Sequence, residues 1–134
     1  MPQTAVIELQ THAAEELVDI TEEVASSLAG LGVSDGICWV SSPHTTAGIT
    51  VNEHADPDVR RDMLHALDRT VARHDPAYRH AEGNSAAHLK ASLMGLSAMV
   101  PVREGRLTLG TWQGIFFCEF DGPRRRRLLI TVLS

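Results

Sequence analysis

Apolar and polar residues alternate along 4-10, TAVIELQ, as in a strand with one buried face. From 19 to 31, DITEEVASSLAGL, the spacing changes. Val24, Leu28 and Leu31 recur at three to four residues, which predicts an amphipathic helix with Asp19 as N-cap, Glu22 three residues on and Gly32 as its stop. GICWVSS at 36-42 and AGITVN at 47-52 are rich in β-branched and aromatic residues, and read as two strands or as one strand broken at Pro43.

A second helix is marked by Asp56 before Pro57, a cap followed by a proline at the first helical position, and by Val59, Met63, Leu67 and Val71 recurring every four residues to about Arg73. On this helix Asp62 falls at the border of the apolar arc, placed to look into a cleft, and Arg60 falls within the arc. The stretch 74-84, HDPAYRHAEGN, has no period and reads as a loop. Asn84 or Ser85 then caps a short helix, SAAHLKASLM, that Gly95 ends. The rest reads as β: LSAMVPV at 96-102, LTLGTWQGIFFCEF at 107-120 and RLLITVL at 127-133, with turns at 103-106 and 121-123. Strands interrupted by helices without regular alternation predict an α+β fold of mostly antiparallel sheets with two to three helices, and disfavour a doubly wound nucleotide fold.

Length and composition narrow this further. The 134 residues, 43% hydrophobic and 22% charged, are expected to form a single domain spanning 1-134, with no internal repeat or linker. No apolar run is long enough to span a bilayer, and MPQTAVIELQTHAAEE lacks a basic start and a long apolar core, so a cytoplasmic protein without a membrane partner is expected. The two cysteines, Cys38 and Cys118, lie in apolar strand-like runs, where buried thiols are usual and a disulfide framework is not. The net charge of -5, with no basic residues interleaved with aromatics, argues against nucleic acid as a partner.

Of the seven histidines, His12, His54, His65 and His74 read as exposed helix-face or loop residues. His80 in the loop and His88 at the polar edge of the short helix can converge on one point, and His44, beside Pro43 at a strand end, is the candidate third member. Three neutral imidazoles suit a divalent metal, zinc first, and an open fourth position would make the site catalytic. Without a metal the same rings serve as general acid and base near neutral pH. The plainer alternative is histidines hydrogen-bonded to backbone, and the spacing matches no specific zinc signature.

Gly110 and Gly114 interrupt the run at 107-120 and frame Thr111 and Gln113. Two strand glycines mark either a bend that lets a long strand change sheets or a pocket wall carrying neutral hydrogen-bonding groups. Downstream, Ile115, Phe117 and Glu119 share one strand face and Phe116, Cys118 and Phe120 the other, so both faces of this strand are candidates for burial, and a subunit interface would cover the second. Glu119 is then a buried carboxylate, with Arg124 as its candidate partner across the DGP turn. The run Arg124 to Arg127 reads either as an edge-protecting, solvated stretch or as a phosphate or carboxylate site.

Together PHTTAGITVNE at 43-53, DML at 62-64, YRH at 78-80, NSAAHL at 84-89, GRLTLGTWQGI at 105-115 and CEFDGPR at 118-124 resemble the YjbQ family, often labelled "secondary thiamine-phosphate synthase enzyme". The resemblance runs through nearly the whole chain in order. It implies a YjbQ-like α+β domain assembled as a homotrimer, with its site near subunit boundaries. It further implies a polar cluster at His44, Thr45, Asn52, Glu53, Asp62, His80, Asn84, His88, Gln113 and Glu119.

The label also implies a reaction that joins a pyrimidine diphosphate to a thiazole phosphate with loss of pyrophosphate, chemistry that calls for phosphate-binding groups and normally magnesium. Arg124 and the carboxylates Glu53, Asp62 and Glu119 supply part of that, without a glycine-rich phosphate loop. The expectation is therefore an enzyme acting on a small anionic or phosphorylated metabolite. His44, His80 and His88 would bind a divalent metal or act as acid and base, Asp62 or Glu53 would act as base or orienting group, and Asn84 and Gln113 would hold the substrate. A metal-assisted hydrolase or lyase on such a metabolite, and a noncatalytic binder of a small anion, are the alternatives.

Overall fold

The computed structural model describes residues 2–134. Strand β1 (Gln3–Gln10) turns Ala5, Ile7 and Leu9 inward, as its alternation predicts. A short strand β2 (Glu16–Asp19) follows, and only then helix α1 (Thr21–Leu31), so Asp19 ends a strand instead of capping a helix. Its Oδ1 still accepts from Thr21 N–H at 3.0 Å. Val24 and Leu28 of α1 are buried, and Gly32, with φ +68°, closes the helix in the left-handed conformation that glycine adopts without strain.

Strand β3 (Gly36–Ser41) and strand β4 (Ala47–Glu53) are separate strands lying in different sheets. Helix α2 (Pro57–Thr70) begins as expected, with the Asp56 carboxylate accepting from Asp58 N–H at 2.9 Å, but stops at Thr70, short of Arg73. Helix α3 (Ser85–Met94) follows the 74-84 loop. The last strands are β5 (Ser97–Arg103), β6 (Arg106–Leu107), β7 (Gln113–Glu119) and β8 (Arg125–Leu133).

Every strand pair is antiparallel. One sheet has the order β1-β8-β3-β5-β6 and the other β2-β7-β4. The run 107-120 is thus two strands: β6 closes an edge of the larger sheet and β7 is the centre of the smaller, so the glycine-containing segment between them is where the chain changes sheets.

One core lies between the sheets and under α1, built from Val24, Leu28, Cys38, Val40, Ile49, Ile115, Phe117, Leu128, Ile130 and Val132. A second lies on the other face of β7, where Phe116, Cys118 and Phe120 meet Ala87 and Ala91 of α3 and, at its margin, Met63, Leu64 and Leu67 of α2. Both faces of β7 are therefore covered within one chain. The two helices do what a subunit interface had been invoked to do. Cys38 and Cys118 are free and buried, and burial pushes their thiols up to about 11 and about 12.

Candidate functional site

β4 and β7 run antiparallel, so Ala47 sits beside Glu119 at one end and Glu53 beside Gln113 at the other. At about 3.3 Å per residue these ends are about 20 Å apart. The first end carries a cleft of about 370 Å³ lined by His44, Thr45, His80, Glu82, Asn84, His88, Asp121, Arg124 and Arg126, with Pro43 and Thr46. The three histidines singled out from the sequence therefore meet in one cleft. Loop and helix bring His80 and His88 edge to face, with ring centroids 5.3 Å apart.

His44 is held by its strand-end neighbours. Its Nε2 accepts from Arg127 N–H at 3.0 Å, so in the neutral ring the proton sits on Nδ1. Burial, followed by the positive charge of Arg126, lowers its pKa and keeps that ring neutral. His44 is thus prepared as a hydrogen-bond donor and not as a metal ligand, because its lone pair is occupied. His80 and His88 carry no such engagement of their ring nitrogens among the described residues. Among the described residues no group of three or more His, Cys, Asp or Glu side chains is placed to hold a metal ion.

The floor of the cleft is a buried ion pair. Glu119, 0% exposed, takes Arg126 Nε–H on Oε1 at 2.8 Å and a second guanidinium N–H on Oε2. It also accepts from Thr11 Oγ1 at 2.8 Å and from Asp121 N–H at 3.0 Å. Burial pushes the Glu119 carboxyl upward, but the bonds from Arg126, Asp121 N–H and Thr11 outweigh it and hold the pKa below the ordinary value. The partner of Glu119 is therefore Arg126 and not Arg124, since the first inward position of β8 is Arg126. With both oxygens occupied, Glu119 positions Arg126, which also donates to Thr46 Oγ1 at 2.9 Å. Arg124 bonds Asp121 through Nε–H to its carbonyl at 2.9 Å and through a terminal N–H to Oδ2 at 3.0 Å, while half of its side chain stays exposed. A guanidinium has five donors, so it retains several for a ligand.

Asn84 stands where α3 begins, yet its side chain does not cap that helix. It donates from Nδ2 to Asp121 Oδ2 at 2.8 Å, and its Oδ1 is buried without a hydrogen-bond partner. A buried acceptor left unpaired costs about 1–3 kcal/mol, so its place is one for a donor from a ligand or water.

Other residues of the expected cluster lie elsewhere. Asn52, Glu53 and Gln113 occupy the opposite end of the β4-β7 ladder, where the Asn52 side chain accepts from Glu53 N–H at 2.7 Å and Gln113 Oε1 accepts from Gly110 N–H at 2.8 Å. Asp62 is exposed on α2, with no hydrogen bond among the described residues. Arg60 on the same helix is half-buried, with its guanidinium 5.3 Å from the Phe116 ring centre, an intrachain contact.

Sequence reasoning passed over Thr11, Thr46 and Asp121, each of which holds a cleft residue in place. Asp121 had one signal, its position at the head of DGPR, two residues after Glu119. Lys90 was also missed. It is 1% exposed on α3, paired with Glu15 at 2.6 Å and with Asp68. His54, expected to be exposed, is half-buried and bonded to Asp19.

Comparison with known proteins follows this geometry. The chain is 50% identical to UPF0047 protein YugU of Bacillus subtilis over 128 residues, covering 96% of this chain and 97% of that protein. It is 47% identical to UPF0047 protein MJ1081 of Methanocaldococcus jannaschii, over 95% and 91% of the two chains. Among solved structures, a YjbQ/UPF0047 protein from Clostridium acetobutylicum matches with a TM-score of 0.93 at 50% identity, over 96% of this chain and 99% of that one. A YbjQ-like protein from Sulfolobus solfataricus matches with a TM-score of 0.94 at 35% identity, over 100% and 98%. Residues 5–134 match the family described as UPF0047 protein YjbQ-like, and to that family the chain belongs.

Proposed function

We propose that the cleft at the start of α3 binds a small anionic, phosphorylated metabolite and that the protein is an enzyme acting on it. The observation that carries this reading is the convergence of polar side chains on one cavity of about 370 Å³: Arg124, Arg126, His44 and Asn84, the residue at which a ten-residue helix begins. Helix N-termini and guanidinium groups are the usual partners of phosphate oxygens. Asn84 Oδ1 adds a requirement, because it needs a donor, and a hydroxyl or amino group on the same metabolite would supply one. His80 and His88, with their rings edge to face in this cleft, are the acid and base.

Thiamine-phosphate synthesis falls within this substrate class, since both of its reactants carry phosphate groups. A second reading rests on the His80–His88 approach alone: a divalent metal held by these two rings, with its other positions filled by ligand or water, which would polarise a phosphoryl oxygen. His44 would join them only by giving up its bond from Arg127. A homotrimer is part of the proposal. It is supported by the outward face of the larger sheet, where Val6 is 58%, Trp39 42% and Met99 65% exposed.

Calorimetric titration with glycerol 3-phosphate and with inorganic pyrophosphate, each with and without zinc and magnesium, tests the reading. Saturable binding that is weakened in Arg124→Ala and in Asn84→Ala supports an anion cleft, and binding that appears only with metal supports the second reading. No binding of either anion under any condition would overturn both. Turnover of a pyrimidine diphosphate with a thiazole phosphate, followed by pyrophosphate release, separates an enzyme from a noncatalytic binder.

A further inference from the structure

Beyond the far end of β4 stands a second group of reactive side chains that the anion cleft does not use. His54 Nδ1 lies 2.9 Å from Asp19 Oδ2. The other carboxylate oxygen of Asp19 accepts from Thr21 N–H at 3.0 Å and from Thr21 Oγ1 at 2.6 Å. Thr21 Oγ1 in turn accepts from Ile115 N–H at 2.9 Å, tying the group to the central strand of the smaller sheet. Burial pushes the Asp19 carboxyl upward, but the bonds from Thr21 and His54 outweigh it and keep it ionised.

The backbone is adapted to the ring. A Cβ on Gly114 would lie 2.6 Å from His54 Cγ, so glycine is what lets the imidazole lie against β7. His54 N–H donates to Trp112 O at 2.9 Å, which fixes the start of the side chain as well. The ring is about one-third exposed, its Nε2 has no hydrogen-bond partner among the described residues, and it lines a cavity of about 390 Å³ together with Asp19, Thr21, Glu22 and Glu23.

We propose that Asp19 and His54 form a second acid–base centre, independent of the anion cleft, acting on a neutral or cationic small molecule. An ionised carboxylate on Nδ1 sets the tautomer that carries the proton there and leaves the lone pair on Nε2. That lone pair takes a proton from water as the water oxygen bonds to the carbonyl carbon of an ester. The carbon–oxygen bond to the alcohol then breaks, and the imidazolium, stabilised by Asp19, gives the proton to the departing alkoxide, leaving the carboxylic acid and the alcohol. The carboxylates of Glu22 and Glu23 on the cavity wall disfavour an anionic substrate, which separates this centre from the cleft around Arg124. Asp19 is a positioning residue here, and His54 is the group that meets substrate.

The test uses the full chain and p-nitrophenyl acetate, a neutral ester that water cleaves to acetate and p-nitrophenol when a base removes the water proton. Protein-dependent release of p-nitrophenol is expected to fall about tenfold in His54→Gln, less than the full effect of a positioned base because the other six of the seven histidines supply background. Asp19→Asn is expected to lower it as well, and an ester with an anionic acyl group to react more slowly than the acetate. Nitrogen-15 spectra of the histidines add a readout that a purely structural pair would not move together with rate. His54 is expected as the Nδ1–H tautomer in the wild type and as a mixture in Asp19→Asn. A wild-type rate in folded His54→Gln, or an Nε2–H tautomer in the wild type, would overturn the proposal. Should His54→Gln fail to fold, the tautomer and the Asp19→Asn rate decide it.

Discussion

Asn84 directs its amide N–H to Asp121, 2.8 Å away across the cleft, instead of capping the helix it begins. An asparagine at this position ordinarily satisfies one of the free N–H groups of the first turn, for about 1 kcal/mol. Here that stabilisation is forgone, and Asn84, whose Oδ1 is unpaired, borders the same cavity as Arg124.

Replacing Asn84 by Ala should therefore change stability little and binding more. Removal of a buried unpaired acceptor offsets the loss of the Asp121 bond, so unfolding in urea should shift by less than about 1 kcal/mol. Affinity for a phosphorylated ligand should fall about tenfold, the loss of roughly one hydrogen bond. A large stability loss with unchanged affinity would mean that Asn84 is structural.

Glu119→Gln leaves Arg126 buried without its counter-charge, and should cost about 3 kcal/mol in urea unfolding at pH 7. The pH dependence follows from the lowered pKa. A carboxylate held below its unfolded value of 4.5 contributes stability that is fully present above that value and lost as pH falls through the lower folded value. Wild-type stability should therefore drop below about pH 4.5, and Glu119→Gln should flatten that acid limb.

Gly114→Ala places a methyl group against the His54 ring, and overpacking of this kind costs about 1–3 kcal/mol. Thermal melting of Gly114→Ala alone and combined with His54→Ala checks the cause. The second substitution should recover most of the loss, because it removes the ring that the methyl strikes.

Lys90→Met keeps the volume of a fully buried side chain and removes its charge, leaving Arg73 as the cation that pairs with Glu15 and Asp68. The expected loss in urea unfolding is below the roughly 3 kcal/mol of a fully broken buried pair, because both carboxylates keep that partner.

The proposed homotrimer would use the outward face of the larger sheet, and on that proposal light scattering should give three chains for the wild type. Met99→Glu, on a residue 65% exposed and paired in register with Trp39, should give monomers while leaving the chain folded.

What could be read without coordinates was local. Asp56 with Pro57 fixed the start of α2, Gly32 and Gly95 the ends of α1 and α3, and the alternation in TAVIELQ the inward face of β1, since caps and strand faces depend on neighbours a few residues away. The short strand ELVD does not read as a strand, and its last residue, Asp19, reads as a helix cap, because four residues carry too little pattern to show a period. The convergence of His44, His80 and His88 was legible because strand end, loop and helix each had a boundary in the sequence. Choosing Arg126 over Arg124 for Glu119 was not, since alternation put both on one face and only the start of β8 at Arg125 distinguishes them. The Asp19–His54 pair spans 35 positions, and only the placement of β2 and β4 on either side of β7 brings it together.

The anion cleft is tested most directly by titrating inorganic phosphate into isotope-labelled protein and following the histidine ring and backbone amide signals by NMR. Saturable shifts are expected at His44, His80, His88 and the Ser85 and Ala86 amides, with His54 unmoved. Shifts confined to the exposed Arg125 and Arg127, or no saturation at any of the cleft residues, would contradict an anion site at the start of α3.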